Sequence, residues 1–140
     1  MPINTEITVD LTDQPGTLAN LCQGLANRGI NIMGIQAAPG QGKGSVRLVV
    51  DDPSAAGTVL SNQNMRYTET KIVQAALSNR PGELARAATR LGEAKININH
   101  MYCGLDSKTN EPLLFFGVDD TGRAATILSE SAAKTATTSR

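Results

Sequence analysis

The sequence predicts an α+β fold of two βαββαβ modules, each an antiparallel sheet with its helices on one face. Three observations carry this. Residues 13–32, DQPGTLANLCQGLANRGINI, recur as NRPGELARAATRLGEAKINI at 79–98, an offset of 66. VDDPSAA at 50–56 recurs as VDDTGRAA at 118–125, an offset of 68. Within each half the apolar spacing alternates between period two and period 3.6, in the order strand, helix, strand, strand, helix, strand. The two extra residues fall in the turn between strands two and three, where an insertion costs least.

In the first half, Ile7, Val9 and Leu11 alternate with Thr8 and Asp10 as a half-buried strand. The turn TDQPG leads into a helix, with Leu18, Leu21, Cys22, Leu25 and Ala26 on one stripe and Gly29 as its left-handed terminator. A second strand is expected from Ile30 to Ala38. Its apolar phase slips between Ile30/Ile32 and Met33/Ile35, which calls for a bulge near Ile32. PGQGKGS reads as a hairpin turn, Val46–Val50 as strand three, Asp51-Asp52-Pro53 as the start of a helix to Leu60, and Met65–Thr70 as strand four.

The second half repeats this. Ile72–Leu77 is a strand and NRPG a turn; Leu84, Ala87, Ala88 and Leu91 mark a helix. Ile96–Cys103 is a strand, GLDSKTNEP a longer turn, Leu113–Val118 a strand, and a helix follows Asp119-Asp120 to about Leu128. Residues 1–70 and 71–130 are the expected modules. SAAKTATTSR (131–140) has no large apolar residue and is expected to be a thin edge strand or a disordered tail. The element order is the ferredoxin-like one. Modules near 65 residues are marginal folders alone, since small domains bury only about 60% of their unfolded surface.

Lys and Arg number 13, as do Asp and Glu, and aromatics are 3% of the chain with no Trp. That excludes a basic nucleic-acid footprint and a base-stacking platform. No apolar run is long enough to span a bilayer and no secretory leader opens the chain, so a cytoplasmic protein with no membrane partner is expected. Two cysteines, Cys22 and Cys103, fit neither a disulfide framework nor a zinc site. His100, the sole histidine, has no nucleophile or carboxylate at motif spacing. GQGKGS (40–45) lacks the Ser or Thr after Lys43 that a phosphate loop needs, and the third glycine of a dinucleotide turn. No catalytic residue, metal site or cofactor is expected, and the chain is read as a non-enzyme.

Strand, then [DN]-x-P-G-x-L-A, then helix, then [GK]-I-N-I, found twice, resembles the ACT domain, a regulatory module of amino-acid metabolism. The resemblance covers 6–70 and 71–130. It implies a small-molecule effector, most simply an amino acid, held where two modules meet, between the Pro-Gly loop of one and strand two of its neighbour. The pattern is similar to the serine-sensing module of phosphoglycerate dehydrogenase, which implies ligand-holding roles for Asn79 and Asn97. A histidine that serves two residues before the loop asparagine there is Leu77 here. In the first half the corresponding positions are Asp13 and Asn31.

The chemistry supports such a site. A helix start leaves four N–H groups unpaired and its dipole favours an anion, here a ligand carboxylate. Pro15 and Pro81 suit the first helical turn, and Gly16 and Gly82 allow close approach to the backbone. The expected ligand-binding residues are Asp13, Gln14, Pro15, Gly16, Thr17, Leu18, Asn31 and Ile32. In the second copy they are Asn79, Arg80, Pro81, Gly82, Glu83, Leu84, Asn97 and Ile98. Plainer roles compete: Asp13 and Asn79 as helix caps, worth about 1 kcal/mol each, and Asn31 and Asn97 as partners of a bulged backbone. Three functions follow in order: an amino-acid-binding regulator, a regulatory or structural subunit of a multimeric enzyme with a degenerate site, and a small enzyme. A homodimer is expected, because exposed sheet edges are commonly resolved by pairing, and a partner enzyme would carry the output.

Overall fold

The computed structural model describes residues 3–38 and 43–138. Its elements are β1 (Ile3–Thr12), α1 (Thr17–Asn27), β2 (Ile32–Ala38), β3 (Lys43–Val50), α2 (Pro53–Asn62), β4 (Tyr67–Ala76), α3 (Glu83–Glu93), β5 (His100–Leu105), β6 (Pro112–Gly117) and α4 (Thr121–Thr138). They form two compact units, Thr5–Thr70, and Lys71–Arg140 together with Met1–Asn4. Most of the expected PGQGKGS turn, residues 39–42, lies outside the described residues.

In the first unit β3 pairs antiparallel with β1 (Ile7↔Leu48 through Thr12↔Lys43) and with β2 (Ile32↔Val50 through Ala38↔Ser45). The register shifts between Ile32 and Gly34, at the site of the phase slip. The Asp10 N–H donates to the Arg66 carbonyl at 3.0 Å, which lays the start of β4 along β1. The order β4-β1-β3-β2 is the ferredoxin-like one. Ile7 and Val9 from β1, Leu21 and Leu25 from α1, Leu48 from β3 and Leu60 from α2 form the heart of the core. Each such side chain contributes about 1.5–3 kcal/mol when fully buried.

Helix α1 ends where expected. Gly29 has φ 68°, and the N–H groups of Gly29 and Ile30 donate to the carbonyls of Ala26 and Leu25, a left-handed stop that satisfies the last carbonyls. Helix α2 is capped by Asp52, whose carboxylate accepts from the Ala55 N–H at 3.1 Å, with Pro53 at its first position. The buried stripe of α1 is narrower than the sequence suggests. Leu21 and Leu25 are buried, Cys22 is half-buried, and Leu18 and Ala26 are exposed. In α3 the buried line is Glu83, Ala87 and Leu91, spaced four apart, and Leu84 lies off it. Residues four apart stack along one helix face, and that spacing decides which side chains reach the sheet.

In the second unit the same strand β4 continues and pairs with β6 (Val73↔Phe116 through Ala76↔Leu113), and β6 pairs with β5 (His100↔Gly117 through Leu105↔Pro112). One strand thus closes the first module and opens the second. Val73, Leu91, Leu114, Phe116 and Leu128 lead the core.

Three expectations are corrected here. Residues 131–138 are neither edge strand nor disordered tail: they extend α4, as suits a run with three alanines and no helix breaker. Residues 139–140 lie outside the described residues. The chain's beginning, expected in the first module, belongs instead with the second unit. Ile3 packs on the second core, and the Asn4 side-chain amide donates to the Gln74 side chain at 3.0 Å. Finally, β5 starts at His100 instead of Ile96. Lys95 takes a left-handed φ of 62°, and two asparagines tie the stretch that follows: Asn97 Nδ2 donates to Asn99 Oδ1 and Asn99 Nδ2 to Asp119 Oδ1, both at 3.0 Å.

Candidate functional site

Each Pro-Gly pair makes the same turn. Gly16 has φ 92° and ψ −15°, and Gly82 has φ 90° and ψ −11°. With proline ahead and the Thr17 N–H reaching back to the Gln14 carbonyl (3.4 Å), Gln14-Pro15-Gly16-Thr17 is a type II turn; Arg80-Pro81-Gly82-Glu83 matches it, with Glu83 N–H to Arg80 O at 3.4 Å. This corrects the expected role of the prolines. They stand outside the helix and set the turn, while the glycines occupy the cap position. Left-handed φ is the reason for glycine there, since a Cβ at Gly16 or Gly82 would meet nothing within 4 Å.

The geometry decides which amides are open. The Asn20 N–H donates to Gly16 O (3.0 Å) and the Arg86 N–H to Gly82 O (2.9 Å). The N–H groups of Gly16, Leu18 and Ala19 have no protein acceptor among the described residues, nor have those of Gly82, Leu84 and Ala85. Of the three amides expected to grip a carboxylate in each copy, Thr17 and Glu83 are engaged in the turn. Ala19 and Ala85 replace them.

The capping reading of Asp13 and Asn79 fails, because neither helix start has a side-chain cap. Both residues are exposed, and among the described residues their side chains make no hydrogen bond. At position 17 the Thr17 hydroxyl donates back to the carbonyls of Thr12 (2.8 Å) and Gln14 (3.0 Å). Its counterpart Glu83 is buried and pairs with Arg80, Nη2 to Oε1 at 3.2 Å. The first mouth therefore has an uncommitted carboxylate at its rim, and the second has a neutral amide and an ion pair.

Within either module the expected residues do not converge. Asp13–Leu18 lie at the start of α1, whereas Asn31 and Ile32 follow its end, about 16 Å away along an 11-residue helix. Asn79–Leu84 and Asn97–Ile98 are separated likewise by α3. The backbone of Asn31 exchanges hydrogen bonds with Asp51 (Asn31 N–H to Asp51 Oδ1, 3.0 Å; Asp51 N–H to Asn31 O, 3.1 Å), which leaves its side chain exposed.

Two clefts flank the first mouth. One, of about 260 Å³, contains Asp13, Gln14, Thr17 and Leu18 beside Ala38 and Ser45. The other, about 510 Å³, lies between α1 and the approach to β4 and adds Asp10, Asn20, Asn64 and Arg66. Sequence reading missed these four residues. They come from β1, α1 and the α2–β4 loop, and only the β1–β4 pairing brings Asp10 and Arg66 together.

Known proteins bear on this arrangement. A family model described as an ACT domain pair matches residues 2–135. Among solved structures, protein BT0572 from Bacteroides thetaiotaomicron superposes with a TM-score of 0.82 at 22% identity, covering 94% of this chain and 90% of that one. The ligand-free regulatory subunit of aspartate kinase from Thermus thermophilus gives 0.65 at 18% identity, with 93% of each chain covered. The corresponding subunit from Thermus flavus gives 0.58 at 16%, covering 93% and 96%. A search of curated proteins gives no match. At these identities the structural likenesses establish the fold, two ACT modules with antiparallel sheets and four helices. The chain belongs to the ACT domain pair family.

Proposed function

We propose that this protein is a regulatory amino-acid-binding protein whose ligand sits at the mouths of α1 and α3. The observation that carries this is the repeated type II turn, with Gly16 and Gly82 held left-handed within 2° of each other in φ (92° and 90°) in front of open amides. A capping side chain would serve a purely structural helix start better, and both copies lack one. A ligand carboxylate accepts from the amides of Gly16, Leu18 and Ala19, and Asp13 accepts from the ligand ammonium. At the second mouth Gly82, Leu84 and Ala85 take the carboxylate, and Asn79 faces the ammonium through its carbonyl. Asn31 and Asn97 lie at the far ends of their own helices, so neither can share a ligand with the mouth of its own module. The fold likeness to regulatory subunits of aspartate kinase supports a regulatory output through a partner enzyme, with a homodimer as the working unit. Free Cys22 and Cys103 support a reducing, cytoplasmic setting.

A second reading has one specific observation behind it. Glu83 places a carboxylate in the first turn of α3, where it already meets the helix dipole and engages Arg80. That favours a second mouth that no longer binds, as in a subunit with a degenerate site.

A thermal-unfolding screen of the twenty amino acids tests both. Ligand at 100 times its dissociation constant adds about 2.7 kcal/mol. Under the binding reading a few amino acids raise the midpoint and Asp13→Asn lowers the rise by the share of the first mouth. If none of the twenty moves it, the protein is a subunit without a working site.

A further inference from the structure

We infer that the cleft between α1 and the approach to β4 receives the side chain of the bound amino acid and selects one ending in a carboxamide. This rests on the reading that the first mouth holds the ligand's carboxylate and ammonium. The cleft adjoins that mouth through Thr12 and Thr17, and its volume of about 510 Å³ is within the range of small-molecule sites, on the order of 300–1,000 Å³.

Its lining is chemically specific. Leu11 is buried and Met65 half-buried, an apolar patch suited to one or two methylenes. Asp10 and Arg66 are both exposed, and the bond from Asp10 N–H to Arg66 O keeps their backbones side by side. Among the described residues neither charge enters an ion pair, and the side chains of Asn20 and Asn64 make no hydrogen bond. Asn64 is held at a left-handed φ of 56° by its N–H bond to Ser61 O at 3.1 Å.

A cleft with one carboxylate, one guanidinium and two amides discriminates by hydrogen-bond type. A ligand carboxylate would satisfy Arg66 but face Asp10. An ammonium would satisfy Asp10 but face Arg66. A hydrocarbon would desolvate all four groups and pair none. A carboxamide offers an acceptor to Arg66 and a donor to Asp10 at once. Among the described residues the second module does not repeat this set: Ala76 and Arg86 stand where Asp10 and Asn20 do, at the offset of 66. One selective site per chain follows.

Titration calorimetry with asparagine, glutamine, aspartate, glutamate, lysine, leucine and alanine tests this. Asparagine or glutamine is expected to bind at least about tenfold more tightly than the other five, the discrimination of one charge-assisted hydrogen bond, with one site per chain. Arg66→Ala and Asp10→Ala should each lower the ratio of carboxamide to alanine affinity, and the double variant should bring it to near one. Asp10→Asn should narrow the gap between glutamine and glutamate. Both positions are exposed, so urea midpoints should stay within the range of surface substitutions; Asn20→Ala on α1 offers the same test should either variant misfold. A wild-type preference for leucine or glutamate, or ratios unmoved by the variants while Asp13→Asn removes all binding, would overturn the side-chain assignment and leave the mouth standing. No binding of any of the seven would sink both.

Discussion

Replacing Gly16 by alanine isolates the backbone conformation on which the mouth depends. A Cβ at this position meets nothing within 4 Å, so no neighbour has to move. The whole effect is the cost of forcing an L residue to φ 92°, ψ −15°, about 1–2 kcal/mol of lost stability. Gly82, at φ 90°, should respond in the same way. Gly92 is the internal control. It also has open space around it, but it lies within α3 and is not among the positive-φ glycines. There alanine should stabilise the protein by up to about 1 kcal/mol. One substitution in equally open surroundings should therefore have opposite signs, with a separation on the order of 2–3 kcal/mol. Gly16→Asn should cost less than Gly16→Ala, because asparagine tolerates the left-handed region. Equilibrium urea unfolding followed by far-UV circular dichroism measures each value, with an unchanged slope confirming that the same surface is exposed. A neutral or stabilising Gly16→Ala would refute the type II turn and the amide geometry built on it.

Other parts of the structure make separate predictions. A Cβ on Gly117 would fall on the ring of His100, its cross-strand partner, which stacks at 15° on Tyr102; Gly117→Ala should cost about 1–3 kcal/mol. Adding His100→Ala should recover most of that loss, and a simple sum of the two costs would show that the ring lies elsewhere. Ile3→Ala should cost about 1–2 kcal/mol for a half-buried side chain and should speed hydrogen exchange in β6 and in β4 beyond Lys71. Faster exchange in β1–β3 instead would place Ile3 in the other core. In the β5–β6 turn, N–H groups of Lys108 and Thr109 donate to Asp106 and hold its carboxyl below the ordinary value of 3.8. A carboxyl depressed on folding contributes stability above its unfolded pKa and loses it as pH falls through the folded value. Asp106→Asn should therefore flatten the acid limb of stability below about pH 4; an unchanged limb would contradict the turn geometry.

The scaffold was readable because repetition exposes it. The 66-residue offset aligned Gly16 with Gly82, and the phase slip from Ile32 to Met33 located a bulge that the register confirms. Three features were hidden. Met65–Thr70 and Ile72–Leu77 read as two strands because the repeat assigns one to each module, whereas Tyr67–Ala76 is a single unbroken strand. Ile3 gave no sign of its core, because a strand's period reveals which face it buries but not which sheet it joins. The Pro-Gly pairs were read as helix starts, whereas left-handed φ, invisible to hydrophobic spacing, makes them type II turns and moves the open amides to Ala19 and Ala85. The repeat singles out Asp13 and Asn79 by their place beside the turn. It gives no sign of Asp10, Asn20, Asn64 and Arg66, because polar residues scattered over β1, α1 and the α2–β4 loop carry no pattern until tertiary pairing gathers them.

Amide-resolved NMR titration reads out whether the open amides before α1 and α3 receive a carboxylate. With the amino acid that most raises the unfolding midpoint added stepwise to labelled protein, saturable shifts should concentrate at the N–H groups of Gly16, Leu18 and Ala19, with Gly82, Leu84 and Ala85 following if the second mouth also binds. Saturable shifts confined to other amides, with these six unmoved, would contradict the account.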